Sequence, residues 1–213
     1  MVYAAPHEWE TAKYLFEATP SRGFVIPHGL TTRALEVLGE PAEPREFLVS
    51  VATIAPRKNT LFLAQSALLA QTPIVFLGKP YSEDNEYFRE FSRLIDNKVV
   101  IYPGFVSEDE KFSYLKQARG FVLLSMFESG CVAAYEAAAA GLPLLLPDLP
   151  WATNGYPRDS RITHVSLGAA PAVATGLRAF YAQAHRSNNQ TFEVQSWRAV
   201  AQKYVEIYES LMS

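Results

Sequence analysis

Glu128 and Glu136 are the residues of this sequence best placed to do chemistry. They lie eight positions apart in the stretch 125–143, SMFESGCVAAYEAAAAGLP, where nearly everything else is apolar. Glu128 falls in a turn after a strand-like run. Glu136 falls on an Ala-rich helix, with Val132, Ala133, Ala139 and Ala140 at its i−4, i−3, i+3 and i+4 positions. A helix apolar nearly all round is normally buried, so its one carboxylate either sits on a thin wet stripe or needs a partner. A carboxylate accepts two hydrogen bonds well from a vicinal diol, so a hydroxyl-rich ligand is one candidate partner. A Lys or Arg from a neighbouring element is the other.

Anion-binding chemistry is suggested at two further places. Arg57 and Lys58, in the segment TIAPRKN, stand just before a predicted helix and after a predicted strand. Two cations beside a helix N-terminus suit a phosphate or diphosphate, although a solvated turn also accounts for them. Gly130 and Cys131 open the Ala-rich helix, where unpaired backbone N–H groups offer a second anion site. An anion there, with hydroxyls near either carboxylate, describes a sugar phosphate or nucleotide sugar. No GxxxxGK[ST] and no GxGxxG segment occurs. In YPGFVSEDE, Gly104 lets backbone approach a ligand, and Ser107 with Glu110 reads as a capping box. A turn followed by a cap explains that segment without any function.

Other reactive residue types are less telling. His7, His28, His164 and His185 are scattered, with no metal-ligand spacing on one helix. His164 lies mid-strand and reads as structural. Cys131 reads as a small buried residue, with no base to make it a nucleophile. Trp151, in the long loop DLPWATNGYPRDS, is either a loop anchor or part of a site.

These residues must be positioned by alternating strands and helices. Apolar runs at 47–52, 73–78, 98–103, 120–125, 142–147 and 162–167 are rich in Val, Ile, Leu and Phe and do not alternate in polarity. Such runs fit parallel strands covered on both faces. Helix-length segments lie near 59–71, 83–95, 108–118, 130–140 and 172–186. The fold class expected is α/β: a doubly wound, Rossmann-like, six-stranded parallel sheet with helices on both faces. A last helix near 191–211 carries Val194, Trp197, Ala201, Tyr204, Tyr208 and Leu211 as one apolar stripe for docking on the sheet or on another domain.

The organisation expected is a small piece at 1–30, a Pro- and charge-rich linker at 31–46, and the main domain at 47–213. In the small piece MVYAA suggests a strand, 7–18 a helix, and GFVIPHG a strand. That piece is too small for a core of its own and reads as the last strand–helix–strand of a larger domain.

Composition bounds the rest. With 213 residues, 49% hydrophobic and 19% charged, the chain can build a full core and is not disordered. A net charge of −3 argues against nucleic acid as a partner. One Cys excludes an intrachain disulfide framework and a multi-Cys zinc site. No apolar run approaches a membrane span, and the opening MVYAAPHEWE has neither a basic start nor an apolar signal core. A cytoplasmic location is expected, with peripheral membrane docking left open.

Four of the segments above, taken in order, resemble the C-terminal, donor-binding domain of the family 4 (group 1) glycosyltransferases, which have the GT-B fold. The likeness covers about residues 24–211. VIPHG resembles the hinge, VATIAPRKN the phosphate-binding turn and YPGFVSEDE the base-binding turn. ESGCVAAYE has the Glu-x7-Glu spacing, followed by AAAAGLPLLL at the matching place. The resemblance implies one half of a GT-B fold. It implies that Lys58 contacts the donor diphosphate, with Thr53 and Arg57 beside it, and that Glu136 binds the ribose. Glu128 would bind the transferred sugar, which makes Glu128 and Lys58 the catalytic pair. The backbone at Gly104, Phe105 and Val106 would read the base, and Ser129, Gly130, Cys131 and Val132 would hold the donor at the helix start. Family members are typically retaining and metal-independent, so no cofactor and no metal site is expected.

This sequence departs from the family pattern in three places. The usual Gly-Arg pair is Ala52 and Thr53, leaving Arg57 as a substitute charge. The usual Gly-x-Gly turn is Ser129, Gly130, Cys131, which keeps the third amide but adds bulk. Most of the N-terminal acceptor domain has no counterpart in the 213 residues, and the first 23 look like its last part. The function implied is transfer of a hexose from a nucleotide diphosphate sugar to a glycan or lipid acceptor, weak or absent without the N-terminal half. That half would be a partner in cis or trans, and any peripheral membrane association would run through it. The alternative is a non-catalytic nucleotide-binding module that docks a separate acceptor-domain chain. An epimerase or phosphorylase of the same architecture is a third reading.

Overall fold

The chain opens with a strand–helix–strand unit, β1 (Val2–Tyr3), α1 (Pro6–Leu15) and β2 (Phe24–Val25), whose two strands pair in parallel. The computed structural model describes residues 1–16, 23–82 and 84–212. The expected end of the first helix at 17–18 and the expected start of another at 83 therefore lie outside the described residues.

The segment expected as a linker at 31–46 carries a helix instead, α2 (Thr32–Gly39). Its reason is local. The Thr31 hydroxyl accepts the Ala34 N–H and caps the first turn, while Ala34 and Leu38, four apart, are buried on one face. Gly39 and Pro41 then end it. Only the residues after it, up to 47, connect to the sheet.

The main sheet is built from β3 (Leu48–Val51), β4 (Ile74–Leu77), β5 (Val100–Gly104), β6 (Gly120–Val122), β7 (Leu144–Pro147) and β8 (Ile162–Val165). These six strands are all parallel, in the order β5-β4-β3-β6-β7-β8. The connecting helices are α3 (Thr60–Ala70), α4 (Glu86–Ser92), α5 (Glu108–Gln117), α6 (Val132–Ala139), α7 (Pro150–Thr153) and α8 (Ala170–Gln183).

Successive strand residues face opposite cores, as the two-residue period of a strand requires. Val49, Val75, Leu77, Leu144 and Leu146 join Ala34 and Leu38 of α2, Phe112 and Leu115 of α5 and the alanines of α6 in one core. Leu48, Ile74, Phe76 and Leu145 join Leu63 and Ala67 of α3, Phe91 of α4 and Leu177 of α8 in the other. Two covered faces are why these strands read as unbroken apolar runs. The exception is β8, an edge strand whose Thr163 and His164 are exposed. His164 is thus a solvated edge residue rather than a packed one.

The last helix, α9 (Trp197–Met212), begins later than expected, and Val194 precedes it. Val194 and Val200 are buried, but Trp197, Ala201, Tyr208 and Leu211 are exposed. The apolar stripe is present, yet the described residues of the sheet do not cover it. No described helix is long and apolar enough to cross a membrane.

The strand order places the switch point between β3 and β6. From β3 the chain moves outward through β4 to β5, then returns to start β6 on the other side of β3. The loops leaving the carboxyl ends of β3 and β6 diverge from such a crevice, the usual ligand position in an open α/β sheet.

Candidate functional site

The loop after β3 is short and stiff. Pro56–Lys58 form one turn of 3-10 helix, and Asn59, left-handed at φ 55°, leads into α3. The loop after β6 runs from Leu123 to Cys131, where α6 begins. The two loops are tied together across the switch point. The Met126 N–H donates to the Arg57 carbonyl at 2.9 Å, and the Arg57 guanidinium donates to the Phe127 carbonyl at 2.8 Å.

Glu128 stands where they meet. Its side chain is 7% exposed and accepts from Lys58 Nζ at 2.5 Å through Oε1, with Arg57 Nη1 3.5 Å from Oε2. Arg57, Lys58 and Glu128, expected on separate grounds, are therefore one cluster. Thr53 is exposed on the first loop, Ser129 on the second, and Val132 is exposed at the first position of α6.

Gly130 is held close to its neighbours. A Cβ there would come within 2.1 Å of the His28 ring, which in turn meets the Trp197 ring edge-on at 5.7 Å. Any other residue at 130 would have to displace that imidazole.

Cys131 is buried, and burial, with the Glu128 charge beside it, pushes its thiol up to about 12. It remains a thiol at neutral pH, consistent with a packing role rather than a nucleophile.

Glu136 lies four residues into α6, a further rise of about 6 Å along the helix. It is buried and accepts from Lys111 Nζ of α5 at 2.6 Å. The cationic partner weighed for Glu136 is thus realised, and it comes from α5. Burial raises the carboxyl above its ordinary value, Lys111 pulls it back, and the nearby Glu108 charge adds to the rise.

A cavity of about 180 Å³ opens beside this pair, between the ends of β3 and β4 and the turn after β5. Val51, Leu77, Phe105, Val106, Glu108 and Lys111 line it. Gly104, at φ +88°, turns the chain so that Val106 faces the cavity and the Phe105 ring stands 68% exposed beneath Lys79 Nζ at 4.1 Å. The expected capping box is present: Ser107 Oγ accepts the Glu110 N–H, and Glu110 accepts the Ser107 N–H. Turn and cap are both real, and they also form one wall of a cavity.

Several residues that sequence reasoning passed over belong here. Lys111 joins the cavity to Glu136. His7, buried on α1, bonds through Nε2 to the Glu128 carbonyl at 2.8 Å, so the N-terminal unit braces the turn that carries Glu128. His28 packs on Gly130. No spacing rule links positions 7, 28 or 111 to 128, 130 or 136; only the folded chain brings them together. Trp151 is an anchor, its indole N–H donating to the Ser125 carbonyl at 3.0 Å within the buried end of the β6 loop.

The family model of the glycosyl transferases group 1 matches residues 36–152, which span α2 to α7 and include both carboxylates. No curated protein sequence matches the chain. Among solved structures, the chain superposes on AviGT4, a glycosyltransferase involved in avilamycin A biosynthesis, with a TM-score of 0.74 at 20% identity, covering 99% of this chain and 63% of that one. It superposes on the sucrose-phosphate synthase of Thermosynechococcus elongatus with a TM-score of 0.73 at 21% identity, covering 99% of this chain and 58% of that one. For Anabaena HepE, solved with UDP and glucose, the TM-score is 0.72 at 15% identity, covering 98% of this chain and 62% of that one. At these identities the likeness is one of fold. The chain spans less than two thirds of each of these structures.

Proposed function

The chain belongs to the group 1 glycosyl transferases, and from that premise we propose that it binds a nucleotide diphosphate sugar at the β3–β6 switch point. The sugar, a hexose, is transferred with retention of configuration to a glycan or lipid acceptor. The observation that carries this reading is the Arg57–Glu128–Lys58 cluster, which places two cations and a buried carboxylate at the crevice beside the start of α6.

Transfer forms a bond from an acceptor hydroxyl oxygen to the anomeric carbon and breaks the bond between that carbon and the diphosphate oxygen; the departing diphosphate takes the electron pair and the hydroxyl proton. Arg57, Lys58 and the positive end of the α6 dipole are arranged to stabilise that charge, the largest catalytic term available here. The diphosphate competes with Glu128 for Lys58. Its arrival leaves the Glu128 carboxylate to accept hydrogen bonds from the sugar, a role of orientation rather than attack. Glu136 takes the ribose hydroxyls, and the cavity bounded by Phe105 and Val106 takes the base, read largely by backbone at Gly104, Phe105 and Val106. The reading needs no metal and no resident cofactor. Its setting is the cytoplasm, where a lone buried thiol stays reduced.

An acceptor-binding half, in cis or trans, completes the cleft in this proposal. The exposed Trp197, Tyr208 and Leu211 of α9, with Tyr14 of α1 and Phe16 just after it, favour a docked partner. The same observation supports the second reading, a nucleotide-binding module without transfer activity of its own. The two separate on product analysis: the chain mixed with an acceptor-domain chain and nucleotide sugar yields glycoside in the first case and none in the second. In both, calorimetry with UDP, GDP and ADP should detect binding.

A further inference from the structure

Lys111 is the residue that connects the cavity to Glu136. It lines the cavity, while Glu136 does not. Its Nζ lies 2.6 Å from Glu136 Oε1, and the two side chains are 22% and 7% exposed. The pair bridges α5 and α6 beside the cavity. Placed on α5 one residue after the Ser107–Glu110 capping box, Lys111 is also held by a helix start whose geometry is fixed.

Resting on the nucleotide reading given above, we propose that Lys111 is a positioning and specificity residue of the nucleoside pocket, holding the Glu136 carboxylate as an anion through one oxygen and leaving the other for the ribose hydroxyls. An ammonium carries three donors and a carboxylate about four acceptor positions, so the pair is not saturated by its own contact. Lys111 also lines the cavity, so a second donor on its ammonium suits a ligand oxygen there.

The charges facing Glu136 make this arrangement necessary. From α5 come Lys111, which favours the anion, and Glu108, which opposes it. From α2, packed against both helices, comes Arg33, which is engaged with Asp109 and lies 3.8 Å from Glu108. The buried alanines of α6 pack in the apolar core, and Arg186 meets the helix at its far end, donating to the Ala140 carbonyl at 2.6 Å. Remove the Lys111 charge, and burial and Glu108 are left to favour the neutral acid. A neutral carboxyl has lost part of its acceptor strength and binds a diol less well.

The test is calorimetric titration of wild type, Lys111→Met, Lys111→Arg and Lys111→Met/Glu136→Gln from pH 5.5 to 8.5. The probe is whichever of UDP, GDP and ADP binds tightest, together with its 2′-deoxy analogue. The ratio of variant to wild-type Kd cancels the titration of the phosphate itself. For Lys111→Met the ratio should grow as pH falls, approaching about tenfold per pH unit below the carboxyl's pKa. Lys111→Arg should restore a flat ratio, Lys111→Met/Glu136→Gln should show no pH slope, and the 2′-deoxy analogue should lose most of the difference. A pH-independent ratio for Lys111→Met in a folded variant would overturn the proposal while leaving the nucleotide reading intact. Absence of binding by the wild type overturns both.

Discussion

Lys58 and Glu128, separated by 70 positions in the chain, meet at 2.5 Å across the switch point, and neither side chain is more than 16% exposed. The contact joins the two loops that any ligand in this crevice must touch. It also leaves Glu128 dependent on Lys58, since Arg57 stands 3.5 Å off and is itself exposed. Removing one partner of a buried pair strands the other charge. Lys58→Met should therefore lower unfolding stability by about 1–3 kcal/mol, measured by urea denaturation, and Lys58→Met/Glu128→Gln should recover part of that loss.

Glu136 predicts a pH effect of definite sign. Its folded-state carboxyl is raised above the ordinary value of 4.5, so between the unfolded and folded pKa values the native state holds the proton more tightly. Its contribution to stability is therefore greatest below the unfolded pKa and declines as pH rises through the folded one. Glu136→Gln removes that term. The stability of Glu136→Gln relative to wild type should increase with pH across the window just above 4.5 and then level off. Urea unfolding at half-unit pH steps reads the difference directly.

Gly130 and His28 form a steric pair. A Cβ at 130 would lie 2.1 Å from the His28 ring, so Gly130→Ala should cost about 1 kcal/mol or more and weaken anion binding at the start of α6. His28→Ala in the Gly130→Ala background should restore stability relative to Gly130→Ala alone. Thermal unfolding of the wild type and the three variants closes the cycle.

How much of this was legible in the sequence depends on the range of the signal. The strands between β3 and β7 were legible because both faces are covered, which leaves long apolar runs that no helix period explains. Arg57, Lys58, Glu128 and the Gly104 turn were legible because each follows a strand directly, and the fold sends every such loop to one edge. Helix α2 was hidden by the prolines and charges that follow it, although Thr31, Ala34 and Leu38 carried a cap and a buried face. Lys111 was not legible. It sits in the run Glu108–Asp109–Glu110–Lys111, which reads as a solvated helix start, and only the folded arrangement, with α2 packed against both α5 and α6, brings one member of it to Glu136. The same limit applies to His7 and His28, whose partners lie about 100 residues or more away. In α9 the apolar stripe is legible, but a helical period cannot say what covers it.

Cys131 should be chemically silent in the native chain. With its thiol at about 12, the thiolate fraction at pH 8 is on the order of one in ten thousand. A thiol reagent should label it only as fast as the chain unfolds, and Cys131→Ala should retain nucleotide binding within about threefold. Rapid native-state labelling at pH 8 would contradict this.

Exposed apolar residues of α9 make a contrasting prediction. Tyr208 and Leu211 are 57% and 61% exposed, so Tyr208→Asp and Leu211→Asp should change the stability of this chain by no more than about 0.5 kcal/mol. If α9 docks an acceptor-binding half, the same substitutions should abolish its association, as read by analytical ultracentrifugation.

The central claim is that the crevice between the β3 and β6 loops holds a nucleoside diphosphate. Isothermal titration of the chain with UDP, GDP and ADP tests it most directly. At least one should bind with one-to-one stoichiometry. Lys58→Ala and Glu136→Ala should each weaken binding by about tenfold or more, and Lys98→Ala, exposed in the turn before β5, should not. No binding of any of the three at millimolar concentration, or binding undiminished in both Lys58→Ala and Glu136→Ala, would contradict the account.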